Sequence, residues 1–140
     1  MKIYLIILIV VCALSCGGAG ETAISTDMEN IQGAWLGQTE RVNGIQKEVS
    51  FLYVFKADTV SFTDETGKEM KYSFRLDTTG KPRLLIIRAA DTLTNPARVS
   101  VGYELKGDSL KLVVAPRGLC PTDISDKNNQ ELISCRRKGS

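Results

Sequence analysis

From Trp35 to Arg137 the apolar residues recur at every second position in eight short runs, and no segment between the runs holds a ten-residue amphipathic helix. Period-two alternation marks strands with one face buried. The runs are Trp35–Val42, Val49–Lys56, Thr59–Thr63, Glu69–Asp77, Arg83–Ala90, Arg98–Lys106, Ser109–Ala115 and Glu131–Arg137. Most of the breaks are tight-turn sequence: Asn43–Gly44, Lys56–Ala57–Asp58, Asp64–Lys68, Thr79–Pro82 and Gly107–Asp108. Parallel β-α-β units are excluded, because a parallel crossover needs a dozen residues or more. An antiparallel up-and-down meander remains. A meander must hide its edge strands, and closure into a barrel does so most completely. The expected fold is all-β, a small eight-stranded antiparallel barrel, with a two-sheet sandwich as the alternative.

The alternation also assigns faces. Phe51, Tyr53, Phe55, Phe62, Tyr72, Phe74 and Tyr103 are the large inward candidates. An eight-stranded barrel is filled by its own side chains or holds one small ligand. These aromatics are expected mainly to fill the interior. In the sharper reading the upper ones line an apolar pocket, with Phe51, Tyr53, Phe55, Tyr72, Phe74 and Tyr103 as its possible wall. The fifth run is apolar on both faces (Leu84, Leu85, Ile86, Ile87), so its outer side is expected to be covered.

Ahead of the first strand the chain has a different character. Lys2 precedes a twelve-residue apolar run, Ile3–Leu14, which is long enough for a signal h-region and too short for a bilayer span of about 20 residues. Residues 1–15 are expected to be a signal peptide. Ala13–Leu14–Ser15–Cys16 resembles the lipobox of bacterial lipoproteins, which implies that Cys16 carries the lipid (diacylglyceryl, palmitate-type acyl) anchor. Ordinary cleavage with release and an uncleaved anchor are the alternatives. Residues 16–28, with Gly17–Gly18–Ala19–Gly20 and the polar stretch Glu21–Met28, read as a flexible linker. Asp27 is expected to cap one helical turn through Ile31, ended by Gly33. The barrel domain is then 29–138. Gly17 after the cysteine implies sorting to the outer membrane in a host that has one.

Charge narrows the function classes. Lys and Arg number 18 against 16 Asp and Glu, mixed along the chain, which gives no electrostatic case for nucleic acid. Arg136–Arg137–Lys138 is the one basic cluster and reads as a solvated chain end. The chain has no histidine, the commonest general base and metal ligand. Neither a cofactor nor a metal is expected. Cys12 and Cys16 fall in the leader and at the anchor, leaving Cys120 and Cys135 as an even pair in an oxidising compartment. Closing that loop contributes ~3 kcal/mol in the chain-entropy model; two buried free thiols are the alternative. Asp64, Glu65 and Glu69 match no cation loop and read as a solvated hairpin. Asp123 and Asp126 flank Ser125 without a base or oxyanion donors, so they read as turn caps.

Several phrases resemble the lipocalin-like domain of secreted planctomycete-type bacterial proteins. They are Ile31–Gln32–Gly33–Ala34–Trp35, Phe55–Val60, Tyr72–Asp77, Gly102–Leu112 and the closing run to Arg137, together spanning about Glu29 to Arg137. The resemblance implies a barrel closed at one end by the G-x-W tryptophan, Trp35, with Arg137 of the last strand lying across it. Arg136 is an equally available donor by sequence distance. The strands are short for a lipocalin, and no further lipocalin signature follows the tryptophan. The expected function is non-catalytic binding of a small apolar ligand or lipid by an envelope lipoprotein anchored to the membrane. A protein-interaction or inhibitor module with a filled barrel is the alternative, with Pro116–Gln130 as its surface.

Overall fold

The computed structural model describes residues 19–89, 98–117 and 119–139. The expected signal peptide and Cys16 lie outside the described residues. One helix, α1 (Ala19–Ile31), precedes eight strands: β1 (Gly33–Val42), β2 (Ile45–Lys56), β3 (Thr59–Thr63), β4 (Glu69–Asp77), β5 (Arg83–Ala89), β6 (Arg98–Lys106), β7 (Ser109–Val114) and β8 (Glu131–Arg137). Each strand pairs antiparallel with the next, and β8 pairs with β1, so the sheet is a closed barrel. Closure leaves no edge strand open to pairing with another chain. At Asn43–Gly44 both residues have positive φ (48° and 82°), as a two-residue hairpin turn requires. That turn carries β2 back to Ile45, four residues before the alternation becomes visible in the sequence.

One end of the barrel is sealed. Trp35 is 0% exposed, and its indole Nε1 donates to the Ile31 carbonyl at the C-terminus of α1 over 2.8 Å. The Arg137 guanidinium lies 4.2 Å from the Trp35 ring centroid. It also donates to the carbonyls of Asn30 (2.7 Å) and Gln32 (2.9 Å) and pairs with Asp108 at 3.1 Å. A helix ends with unsatisfied carbonyls and partial negative charge. No basic residue stands in the last turn of α1, so the last strand supplies the cation. Arg136, the other candidate for that role, is exposed.

The polar stretch expected to be a linker with Asp27 as an N-cap is helical from Ala19 onward. Asp27 sits inside α1 and is buried at 7% exposure. Its Oδ2 accepts from the Tyr103 hydroxyl (2.6 Å) and from Arg83 Nη1 (2.8 Å). A carboxylate that finds two donors in the barrel wall docks the helix where apolar periodicity alone does not announce it.

The outer face of β5–β8 has its own cover. Register aligns Leu84, Gly102, Val113 and Leu132 in one outward row. Yet Val113 is fully buried, and the outward Ile86 of β5 is buried too. The β7–β8 loop folds down over the row. A Cβ placed at Gly102 would stand 3.2 Å from Pro121 Cβ and 3.4 Å from Ile124 Cδ1, closer than most side chains approach. Gln130, also buried, ties the loop together: its amide oxygen accepts from Thr122 N (2.8 Å) and its amide nitrogen donates to Asp123 (2.9 Å). Asp126 accepts from the Gly44 amide at 2.6 Å and fixes the loop to the β1–β2 hairpin.

The expected bridge between Cys120 and Cys135 is not formed. Both thiols are free: Cys120 is exposed in the loop, and Cys135 is buried inside the barrel on β8. The strand face that carries Ile133 and Arg137 inward carries Cys135 inward as well, away from the loop that covers the outside. Burial pushes the Cys135 thiol up to about 12, so the reactive thiolate is scarce at neutral pH.

Two outcomes follow. Replacing Arg137→Met keeps an apolar stem over Trp35 but removes the carbonyl and Asp108 bonds. It is expected to lower stability by roughly 2–3 kcal/mol, the usual range for a lost charged hydrogen bond, seen as a drop in the denaturant midpoint. Alkylation of the native chain followed by peptide mapping should label Cys120 at once and Cys135 only in denaturant; a disulfide-linked peptide containing both would refute the free-thiol assignment.

Candidate functional site

Inside the barrel, above the sealed end, the side chains leave a cavity of about 260 Å³. The interior is therefore not filled by its own aromatics. Ordinary small-molecule sites run from ~300 Å³ upward, so this volume suits a ligand smaller than a drug-sized one. The lower part is walled by Phe55, Val60, Leu85 and Leu112, and the upper part by Phe62, Tyr72, Ile87 and Val99 among others. Val99 faces inward opposite Ile87 and yet is 44% exposed, so solvent reaches the cavity from the end opposite Trp35. That end is the mouth.

Of the six residues expected as pocket wall, Tyr53, Phe55 and Tyr72 line the cavity. Phe51, Phe74 and Tyr103 do not, and each is used elsewhere. Phe51 packs edge-on against Phe62, with ring centroids 5.3 Å apart, and Phe74 packs edge-on against Phe55 at the same distance. Tyr103 belongs to the sealed end, where burial and the hydrogen bond to Asp27 hold its phenol well above the ordinary tyrosine value. Their places are taken by branched aliphatic residues of β5 to β8, which the sequence reading left unassigned. An aliphatic lining carries no chemical mark in sequence beyond its inward parity.

The mouth has a polar side that alternation alone hides. A β-bulge lies between Gly37 and Thr39. An inserted residue flips the face of every residue after it. Glu40, which strict alternation from Trp35 would place outside, now pairs with Ile133 and Lys47 and faces in. Its carboxylate bonds Lys47 Nζ at 2.9 Å, with the Glu40 side chain 13% exposed and that of Lys47 66%. Glu131 begins β8 on the same inward face as Ile133, opposite Val114 of the cavity wall. Burial raises the Glu131 carboxyl above its ordinary 4.5. The neighbouring Glu40 charge and a hydrogen bond between the two carboxyls raise it further, and Lys47 pulls the other way. Tyr53 stands beneath them, its phenol held neutral by burial first and then by Cys135, Glu131 and Glu40.

The other acidic positions have local duties. Asp64 Oδ1 accepts from the Thr66 hydroxyl (2.6 Å), the Thr66 amide (2.9 Å) and the Lys68 amide (3.1 Å). The Thr66 hydroxyl chiefly holds that carboxyl below the usual range. Asp123 accepts from the Ser125 hydroxyl at 2.6 Å, which turns Ser125 into a loop brace. Among the described residues no group of three or more His, Cys, Asp or Glu is arranged to hold a metal ion, and no helix is long and apolar enough to cross a membrane.

Against known proteins, the chain matches no family model, no curated protein and no solved structure.

The Glu131 shift has a definite sign. A carboxyl raised on folding makes the native state bind more protons than the unfolded chain, so its contribution is present below pH 4.5 and is lost as pH rises through the folded value. Glu131→Gln mimics the protonated form at every pH. The variant is expected to match the wild type near pH 4 and to melt at a higher temperature than it at pH 7. Parallel melting curves across that range would show that Glu131 is not shifted.

Proposed function

We propose that this chain is a lipid-anchored protein of the cell envelope whose barrel binds a small apolar molecule without acting on it chemically. The observation that carries the reading is the apolar cavity of about 260 Å³ inside a closed barrel with one sealed end. A sealed end and a dry wall favour desolvation of an apolar body. The G-x-W start and the Trp35–Arg137 stack support a likeness to lipocalin-like domains, whose barrels open at the end away from the tryptophan. Anchoring rests on the lipobox-like Ala13–Leu14–Ser15–Cys16 and the apolar run before it. Cys16 would place the barrel at a membrane face, on the outer membrane where the host has one. Catalysis is not part of the reading: Ser125 is bonded to a carboxylate within a turn and has no base beside it.

A protein-interaction role is the second reading, favoured by one feature. The β7–β8 loop is braced through Gln130 and Asp126 without a disulfide, and beside it Leu119 (66%) and Ile45 (78%) are exposed. A braced loop with exposed apolar side chains is suited to a protein partner.

The uncharged fluorophore N-phenyl-1-naphthylamine separates the two. On the full chain carrying Cys16→Ser, its fluorescence is expected to rise saturably. Val114→Phe, which adds a ring at the cavity wall, is expected to weaken that binding by about tenfold, equivalent to ~1.4 kcal/mol. No saturable rise, or equal binding by the variant, would overturn the ligand reading and leave the loop surface as the functional feature.

A further inference from the structure

The rim of the cavity is asymmetric, and the asymmetry bears on what the cavity takes. This step rests on the ligand-binding reading above and narrows it to a chemical class. On the β3 to β6 side the upper wall is Phe62, Tyr72, Ile87 and Val99. The Tyr72 hydroxyl on that side is already committed to Met70 Sδ at 3.2 Å. On the β8, β1 and β2 side stand Glu131, Glu40 and Lys47, with Tyr53 below them. Glu65, on the β3–β4 turn, lies close enough to act on Lys47 and accepts from the Ser50 amide at 3.3 Å. Among the described residues, the ionisable groups that the register turns towards the mouth are thus two inward carboxyls and one cation, with a third carboxyl behind.

That cation is spent. Lys47 is bonded to Glu40 at 2.9 Å and is largely in water. An entering carboxylate or phosphate would have to displace Glu40 from it and then lie beside Glu131. An entering ammonium meets the opposite situation. Among the described residues Glu131 forms no ion pair and feels Lys47 only at a distance, it borders Val114 of the cavity wall, and its burial makes a new cation a strong partner. Like charge at such a site repels and opposite charge attracts, so the head group decides which amphiphiles stay.

We propose that the cavity selects a small amphiphile with a protonated amine head, its apolar body between Tyr53, Phe62 and Leu112 and its ammonium against Glu131 and Glu40 at the mouth. The bulge at Gly37–Thr39 is what brings Glu40 into this arrangement. The volume sets the scale: an amine with one alkyl chain or a few aromatic rings fits, and a two-chain lipid does not.

The test is competition against bound N-phenyl-1-naphthylamine on the full chain carrying Cys16→Ser, at pH 7, with decylamine, decanol and decanoate. The three share a chain length and differ only in head group. Decylamine is expected to displace the probe at roughly tenfold lower concentration than decanoate, the spread for a part-exposed charge attracted in one case and repelled in the other. Decanol is expected between them. Glu131→Gln should bring the amine-to-acid ratio to within about twofold, and Glu131→Lys should invert it, with thermal melts confirming that each variant is folded. Glu40→Gln serves where Glu131 variants do not fold and should shrink the ratio in the same direction. Equal displacement by decylamine and decanoate, or a preference that survives both glutamine variants, overturns the amine assignment while leaving the cavity reading intact. Absence of probe binding to the parent chain overturns both.

Discussion

The stack of Arg137 on Trp35 is the contact on which the rest of the molecule depends. It joins the first strand, the last strand and the end of the helix in one place. A closed barrel needs its terminal strands in register, and β1 and β8 are the pair most separated in sequence. Loop-closure entropy opposes that pairing more than any hairpin. A guanidinium that stacks on an indole, bonds the carbonyls of Asn30 and Gln32 and pairs with Asp108 favours one register of β8 against β1. A stack of this kind contributes ~0.5–2 kcal/mol before its hydrogen bonds are counted. The same guanidinium neutralises the C-terminal end of α1, so sealing the barrel and seating the helix are one event.

The helix is fixed from its other side by Asp27. That carboxylate leaves water to meet Tyr103 and Arg83, which stand on neighbouring strands β6 and β5. Removing a charge from water is costly unless donors replace the water, and here two do. The sealed end thereby holds the ordered polar network, and the apolar space above it is left for something else. Tyr103 is engaged with Asp27 and Phe74 with Phe55, and about 260 Å³ stays unfilled inside the barrel.

Legibility in the sequence follows the same division. Strand number, order and antiparallel closure were readable because period-two alternation and turn dipeptides are local signals. The bounds of β3, β4, β6 and β8 are those the alternation suggests. Three things were not readable, each for a physical reason. Helix α1 owes its place to a carboxylate bonded across the fold, and a long-range hydrogen bond leaves no periodic trace. Ile45–Glu48 is polar and looks like loop, although the Asn43–Gly44 turn leads straight into a strand there. Glu40 was hidden by the bulge, since one inserted residue turns the expected outward side chain into an inward one. Cys120 and Cys135 show the converse failure: an even count suggested a bridge, but the face of β8 that carries Cys135 inward and the loop that carries Cys120 outside keep them apart.

These gaps converge on the mouth. Glu40 and Lys47 were both missed, and Glu131 was passed over as the polar start of a strand. Among the described residues, they are the charged groups that the register turns towards the mouth. The bulge costs the ladder a paired residue. What the bulge provides is a carboxylate turned inward at the level of the cavity's upper wall, beside a second carboxyl that burial already disfavours as an anion. Burial and the Glu40 charge both disfavour the Glu131 anion, and a cation arriving beside it would favour that anion again. Because the opposite end is closed by Trp35 and Arg137, the proposed amphiphile would lie with its apolar body towards that end. Its head would then rest at the level of Glu40 and Glu131.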